Sequence, residues 1–235
     1  MKREVYLTCE KHYIFELLIC AAGMMGAYTF NLRGDVFCNA QTANVVLMAL
    51  AFGKGEAAKG LYYLIPISAY IAGAAISEVL PQKVRKIHFL RWDTYLVGFE
   101  IIVLFLIGFL PLSIPPQIVQ VLINFICSMQ YNTFRQAEGI PMATTFVTNH
   151  VRQIGIWLSK AVRKKNDGAW QRLWKHLRMV GSFFAGGLIL TVFCPVLQEK
   201  AIWIALLPLS VGFGIMVYAD RHFEVNRLGI KPGGH

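Results

Sequence analysis

The chain has 235 residues, 56% of them hydrophobic and only 15% charged, with a formal net charge of +10 at neutral pH. A mean hydropathy of +0.50 and long uninterrupted apolar blocks exclude an ordinary soluble domain and point to an integral membrane protein. The length suffices for one membrane-embedded bundle and no soluble domain, so residues 1–235 read as a single unit.

From the N-terminus, a charged Met1–Lys11 precedes the apolar run Tyr13–Phe30. A secretory leader is the alternative, but Glu4 and Glu10 sit among its bases, Glu16 lies inside the run, and more spans follow. A retained first helix is the better reading. Further apolar runs are Leu61–Leu80, Trp92–Leu110, Ile118–Phe134, Met179–Val196 and Ile202–Tyr218, each near the roughly 20 residues a helix needs to cross hydrocarbon. Strand alternation is absent, so the predicted fold class is all-α: a polytopic transmembrane helix bundle.

Two polar stretches interrupt this pattern. Phe37-Cys-Asn-Ala-Gln-Thr-Ala-Asn-Val-Val46 follows the first run, and Ala143-Thr-Thr-Phe-Val-Thr-Asn-His-Val-Arg152 follows the fourth. Buried polar groups are costly in hydrocarbon and concentrate at functional places. If both stretches crossed fully, eight spans would result, and Lys83 to Arg91 would lie outside, against the tendency of Lys and Arg to remain cytoplasmic. If each instead dips in and returns, there are six full spans plus two re-entrant or broken helices. Both termini and both basic clusters then fall inside. Only about half a span of helix fits between Thr42 and the Gly53-Lys-Gly-Glu56 break, at about 1.5 Å per residue, so six full spans are preferred and eight are the alternative.

Three crossings per half make the halves, about 12–111 and 112–222, inverted repeats. Thr42-x-x-Val45 aligns with Thr148-x-x-Val151, and Tyr70-Ile-Ala-Gly-Ala-Ala-Ile76 with Phe183-Phe-Ala-Gly-Gly-Leu-Ile189. Inverted halves with broken helices are a recurring transporter and channel plan. The competing explanation is that Ala-Gly pairs recur by chance in membrane helices.

The bases sit where a bilayer explains them. They cluster at Lys83, Arg85, Lys86 and Arg91, and at Lys160, Arg163, Lys164, Lys165, Arg172, Lys175 and Arg178, while Pro111–Gln117 and Cys194–Lys200 carry almost none. Trp170 and Trp174 within the second cluster suit an amphipathic segment against lipid headgroups. The expected partners are the lipid bilayer and a small solute; nucleic acid is not among them, and a homo-oligomer is left open. Cys9, Cys20, Cys38, Cys127 and Cys194 are scattered and odd in number, which supports neither a disulfide framework nor a thiolate metal site. No cofactor is expected.

Half-helices starting near Thr42 and Thr148 would aim unsatisfied N–H groups and positive dipole ends into the membrane, favouring an anion or a neutral, electron-rich solute. The candidate solute contacts are Gln41, Thr42, Asn44, Gln130, Thr145, Thr148, Asn149, His150 and Arg152. Glu100, an acid about two turns into its span, is the candidate for proton coupling. Each has a plainer role: Thr and Asn cap helices, Gln130 bonds between helices, and Arg152 reaches the cytoplasmic face. His150 is the histidine expected near the membrane core, bonding to a neighbour, with His12, His88, His176, His222 and His235 in loops or tails.

The predicted function is a transporter or channel for a small anionic or neutral polar solute. A regulatory or scaffolding protein, whose polar motifs only cement helices, is the alternative. A membrane-embedded enzyme is less favoured, since no acid cluster, His-rich set or phosphate loop stands out.

The order of a Gly-rich first helix, Phe37 with Gln41-Thr-Ala-Asn44, a Gly-rich span, Met129-Gln-Tyr-Asn132 and Thr144-Thr-Phe-Val-Thr148 resembles the YoaK family of uncharacterised bacterial inner-membrane proteins. The resemblance runs from about Glu16 to Tyr218. Family members usually carry Thr-Gly-Asn at the first motif, Thr-Gly followed by Thr or Asn at the second, and an Asp in the first helix. This chain has Thr42-Ala43-Asn44, Thr148-Asn149-His150 and Gly26-Ala-Tyr-Thr-Phe30 at those places. What the resemblance implies is a multi-pass protein of the bacterial inner membrane, with no settled activity.

Overall fold

A computed structural model describes residues 6–84, 89–164 and 167–234. The expectations placed on Met1–Val5, Arg85, Lys86, His88, Lys165 and His235 lie outside these residues.

After a short 3-10 turn at Thr8–Glu10, α1 runs from His12 to Leu32. It stops at Arg33, where Gly34 and Asp35 take positive φ and turn the chain back. Glycine adopts that conformation without steric cost. α2 follows at Gln41–Gly53, α3 at Ala57–Tyr62 and α4 at Leu64–Val84. Thirteen residues of helix reach only about 20 Å, short of a roughly 30 Å hydrocarbon core, so α2 has the length of the half-span expected there. α5 covers Trp92–Ile107 and α6 covers Pro116–Thr133. A two-residue hairpin, β1 (Gln136–Ala137) with β2 (Ile140–Pro141), links α6 to α7 (Thr148–Lys164). α8 (Asp167–Leu197), a 3-10 stretch at Gln198–Ala205 and α9 (Leu206–His222) complete the bundle.

About 78% of the described residues are helical, so the fold is an all-α helical bundle. The stretches His12–Leu32, Ala57–Val84 and Gly168–His222 are long and apolar enough to cross a membrane. In hydrocarbon, backbone groups must find partners within the protein, which helices achieve internally.

α1 is the central helix, buried along most of its length and packed chiefly on α8; α4 packs chiefly on α6, and α5 on α9. Small residues bring these backbones together. A Cβ on Gly186 would collide with the Cys20 carbonyl, and one on Gly23 with the Phe183 carbonyl. On the other pair, a Cβ on Gly73 would collide with the Phe125 carbonyl, while the Ser128 hydroxyl donates to the Tyr70 carbonyl.

The two ends of the bundle are closed differently. At one end the Glu224 carboxylate accepts from the backbone N–H and hydroxyl of Thr8, Gly233 N–H donates to Glu10 at 2.7 Å, and Arg178 pairs with Glu16 at 2.7 Å. Arg91 belongs to this end but does not join a headgroup-facing cluster. It is buried, paired with Asp93 at 3.1 Å, and donates to the Arg227 and Ile230 carbonyls. A desolvated guanidinium needs its donors filled in this way. At the opposite end Arg33, also buried rather than solvated, donates to the Tyr28 hydroxyl and to the Leu110 and Pro111 carbonyls.

The second polar segment differs from a simple half-span. α7 is strongly amphipathic and packs along the first part of α8, leaving Arg152 and Arg163 exposed. α8 itself starts twelve residues before the apolar run at Met179. Its extension carries exposed Trp170 and Trp174 beside exposed Arg172 and Arg178, the arrangement expected of a headgroup-facing segment.

Candidate functional site: two helix starts on one cleft

The first turn of α2 is held by a chain of amides. Gln41 Nε2 donates to the Asn124 side-chain oxygen at 2.7 Å and to the Cys38 carbonyl at 3.2 Å. Asn44 Nδ2 donates to the Phe37 carbonyl and to Gln41 Oε1, both at 3.1 Å. Asn124 Nδ2 in turn donates to the Gln120 carbonyl at 2.7 Å, and Gln120 accepts from the Tyr62 hydroxyl at 2.9 Å. Asn44, Gln120 and Asn124 are fully buried, where such bonds are strong because no water competes.

Thr42 takes no part in this network. It is the second residue of α2, whose N-cap is Ala40 without a side-chain cap, so the capping role available to a Thr is not the one it performs. Its side chain is exposed and lines a cleft of about 990 Å3 together with Phe37, Tyr62, Tyr63 and Thr148. Thr148 is the first residue of α7, one position past where a cap would sit. Both helix starts therefore border the same space.

Successive residues on a helix point about 100° apart, and the first turn of α7 distributes its side chains accordingly. Thr148 faces the large cleft. Asn149 lines a second cleft of about 310 Å3 with Tyr131, Asn132, Arg135 and Ala143, and accepts from Arg152 at 3.0 Å. His150 turns inward, fully buried, against His176 of α8 at 2.9 Å between their Nδ1 atoms. His176 is thus not a loop residue, because α8 begins well before its apolar run. His12, at the start of α1, is likewise buried.

The connection before α7 is buried from Met142 to Thr145. Gln130 Nε2 donates to the Thr144 carbonyl at 3.1 Å, Thr144 and Thr145 are fully buried, and Thr145 lies beside Tyr70 of α4. Glu100 of α5 is fully buried near Cys127, and neither carboxyl oxygen has a hydrogen-bond partner among the described residues. Of the candidates, Thr42 and Thr148 share one cleft, while Gln41 and Asn44 lie in the amide network at its edge. Gln130, Thr145 and Glu100 lie deeper, Asn149 faces the second cleft, and Arg152 is exposed and bonded to Asn149.

Residues that the sequence reading passed over also build this region. Gln120, Asn124 and Cys127 share one face of α6, and the Cys127 and Cys38 sulfurs are 3.9 Å apart. The i, i+4 spacing of Gln120 and Asn124 was the available sign. Among the described residues no group of three or more His, Cys, Asp or Glu side chains is placed to hold a metal ion.

A family model described as a protein of unknown function, DUF1275, matches residues 14–215. The chain belongs to this family. Its match covers every element from the first turn of α1 into α9, including both helix starts on the cleft. No curated protein and no solved structure is significantly similar to the chain.

Proposed function

We propose that this member of the DUF1275 family is a multi-pass protein of the bacterial inner membrane, both termini cytoplasmic, that passes a small anionic or neutral polar solute across the bilayer as a transporter or channel and is not an enzyme. The observation that carries this reading is that Thr42 and Thr148, at the starts of α2 and α7, line one cleft of about 990 Å3. Helix starts leave N–H groups unpaired and carry a positive partial charge, which suits electron-rich guests. The Met142–Asn149 connection adds support. Thr148 at its end borders the large cleft, while Met142, Ala143 and Asn149 border the smaller one, so this short connection stands between two vestibules.

Six crossings in two inverted halves belong to the same reading, as does the closer resemblance to the YoaK family. The helix packing favours the inversion: α1 on α8 and α6 on α4 are the pairings that a two-fold relation between the halves would exchange. A scaffolding role requires the Thr motifs to be separated and packed dry, which their shared cleft disfavours.

Reconstitution in liposomes tests the proposal by screening fluxes of small anions and neutral polar solutes. Thr42→Val together with Thr148→Val should slow the flux at least tenfold while the protein inserts normally. Wild-type rates in a correctly inserted double variant would sink the assignment.

A further inference from the structure

The large cleft carries charge at two points and is apolar along most of its remaining wall. Asp35 and Lys59 line it, Phe30, Phe37, Tyr62 and Tyr63 give it aromatic walls, and alanine, valine and leucine side chains of α2 and α3 supply much of the rest. Phe30 stacks on Phe37 with ring centroids 4.6 Å apart, and Tyr62 meets Tyr63 edge-on at 5.7 Å. An inorganic ion or a polyol gains nothing from such walls, whereas the hydrocarbon part of a small molecule does.

The two charges do not neutralise each other. Lys59 pairs with Glu56 at 3.2 Å, and both are exposed, which makes the pair weak. Asp35 is exposed and forms no ion pair with the described basic residues. Its backbone φ is 54°, a left-handed conformation that Asp tolerates better than most side chains. The turn that presents it is pinned. Arg33 is buried on Tyr28 and the Leu110 and Pro111 carbonyls. Gln120 Nε2 donates to the Arg33 carbonyl, and Gln120 Oε1 accepts from the Tyr62 hydroxyl. One amide therefore fixes the acid's turn and an aromatic wall relative to each other. A pinned carboxylate without a partner attracts a cationic group, and a simple anion would meet it with like charge.

We propose that the solute is a zwitterionic amino acid with an apolar side chain. Its ammonium goes to Asp35, its carboxylate to Lys59 and the Thr42 and Thr148 hydroxyls, and its side chain to the phenylalanine and tyrosine walls. The inference rests on the transport reading above and narrows it, since an amino acid has no net charge at neutral pH and falls within the neutral polar class. Each kind of lining then has a partner on the guest. Phenylalanine and leucine satisfy all three, glycine lacks the apolar body, and chloride, formate and glycerol lack the paired charges.

The test is uptake of radiolabelled phenylalanine, leucine, glycine and glycerol into proteoliposomes, beside chloride and formate fluxes in the same vesicles. Phenylalanine and leucine should enter well above the rate of protein-free vesicles and exceed glycine by roughly tenfold, the scale of discrimination a hydrophobic pocket supplies. Asp35→Asn keeps the side-chain shape and the tolerance for positive φ, and should lower phenylalanine uptake by roughly tenfold or more at an unchanged melting temperature, through loss of a charged hydrogen bond. Should it fail to fold, Lys59→Gln, at an exposed position, gives the same readout at the carboxylate end. Chloride, formate or glycerol flux without amino-acid flux, glycine moving as fast as phenylalanine, or full phenylalanine uptake by the folded variant overturns the inference and leaves transport standing. Flux of none of the six overturns the transport reading and the inference together.

Discussion

His150 and His176 fix each other's protons. His150 Nε2 is 2.8 Å from the Ala143 carbonyl, so that nitrogen must carry hydrogen, and Nδ1 must accept. The facing Nδ1 of His176, at 2.9 Å, is then the donor. The acid Glu138 adds a stabilisation that depends on pH. Its burial would raise the carboxyl, but the Lys175 hydrogen bond and charge prevail and hold it below its ordinary 4.5, so its stabilisation persists above about 4.5 and is lost in stronger acid. His150→Leu leaves the Ala143 carbonyl and the His176 N–H unpaired, which should cost about 2 kcal/mol or more and lower the melting temperature by roughly 5 °C or more at pH 7.5. Melting in detergent checks this, and a melting temperature equal to that of the wild type would refute the bonded pair of His150 with His176.

At the scale of elements, the apolar runs were legible because a hydropathy average reads length directly. All six of them are helical here, with boundaries displaced by a few residues at most ends. The displacement is large at α8, since Asp167–Arg178 is polar on average; its Ala169, Leu173 and His176 are buried at helical spacing, a periodicity that an average conceals. The same limit applies to the site. Thr42 and Thr148 stood out as polar residues in apolar company, but Gln120 and Asn124 were hidden within a span whose mean stays apolar, and His176 within a run of bases. The Gly-rich motifs were legible as motifs, and what they touch was not. Gly186 and Gly73 each meet a carbonyl of the facing helix, whereas Gly181, also in α8, has nothing within 4 Å. Valine at Gly73 or at Gly186 should therefore destabilise by about 1–3 kcal/mol through overpacking. Alanine at Gly181 should be neutral or stabilising by up to about 1 kcal/mol, from helix propensity. Thermal melts of the three variants decide the matter. If Gly186→Val proves as stable as Gly181→Ala, backbone contact is not what joins α1 to α8.

For the whole molecule, the contacts that join the helices repeat across the two halves. Tyr70 and Phe183, aligned in sequence, turn their carbonyls to α6 and α1 respectively, one toward Ser128 and the other toward Gly23. Gly73 and Gly186, aligned in the same motifs, press on the Phe125 and Cys20 carbonyls of those helices. A relation of this kind exchanges α1 with α6 and α4 with α8, and it requires the two members of each pair to run in opposite senses through the bilayer. The ends of the bundle agree: Gly233 meets Glu10 just before α1, and Arg178 of α8 meets Glu16 of α1, whereas Arg33, Gln120 and Tyr62 meet at the far end. On the proposed six-crossing reading Lys54, which closes α2, and Lys83, in the last turn of α4, fall on opposite faces of the membrane. Single cysteines at the two positions report it through a membrane-impermeant maleimide, since Cys9, Cys38, Cys127 and Cys194 of the natural set are buried and Cys20 is partly so. Lys54→Cys should label in intact cells and Lys83→Cys only after permeabilisation. Labelling of Lys83→Cys from outside with Lys54→Cys protected would place α2 across the membrane as a full span, undo the inversion, and leave Thr42 and Thr148 unrelated by symmetry even though they face one cleft.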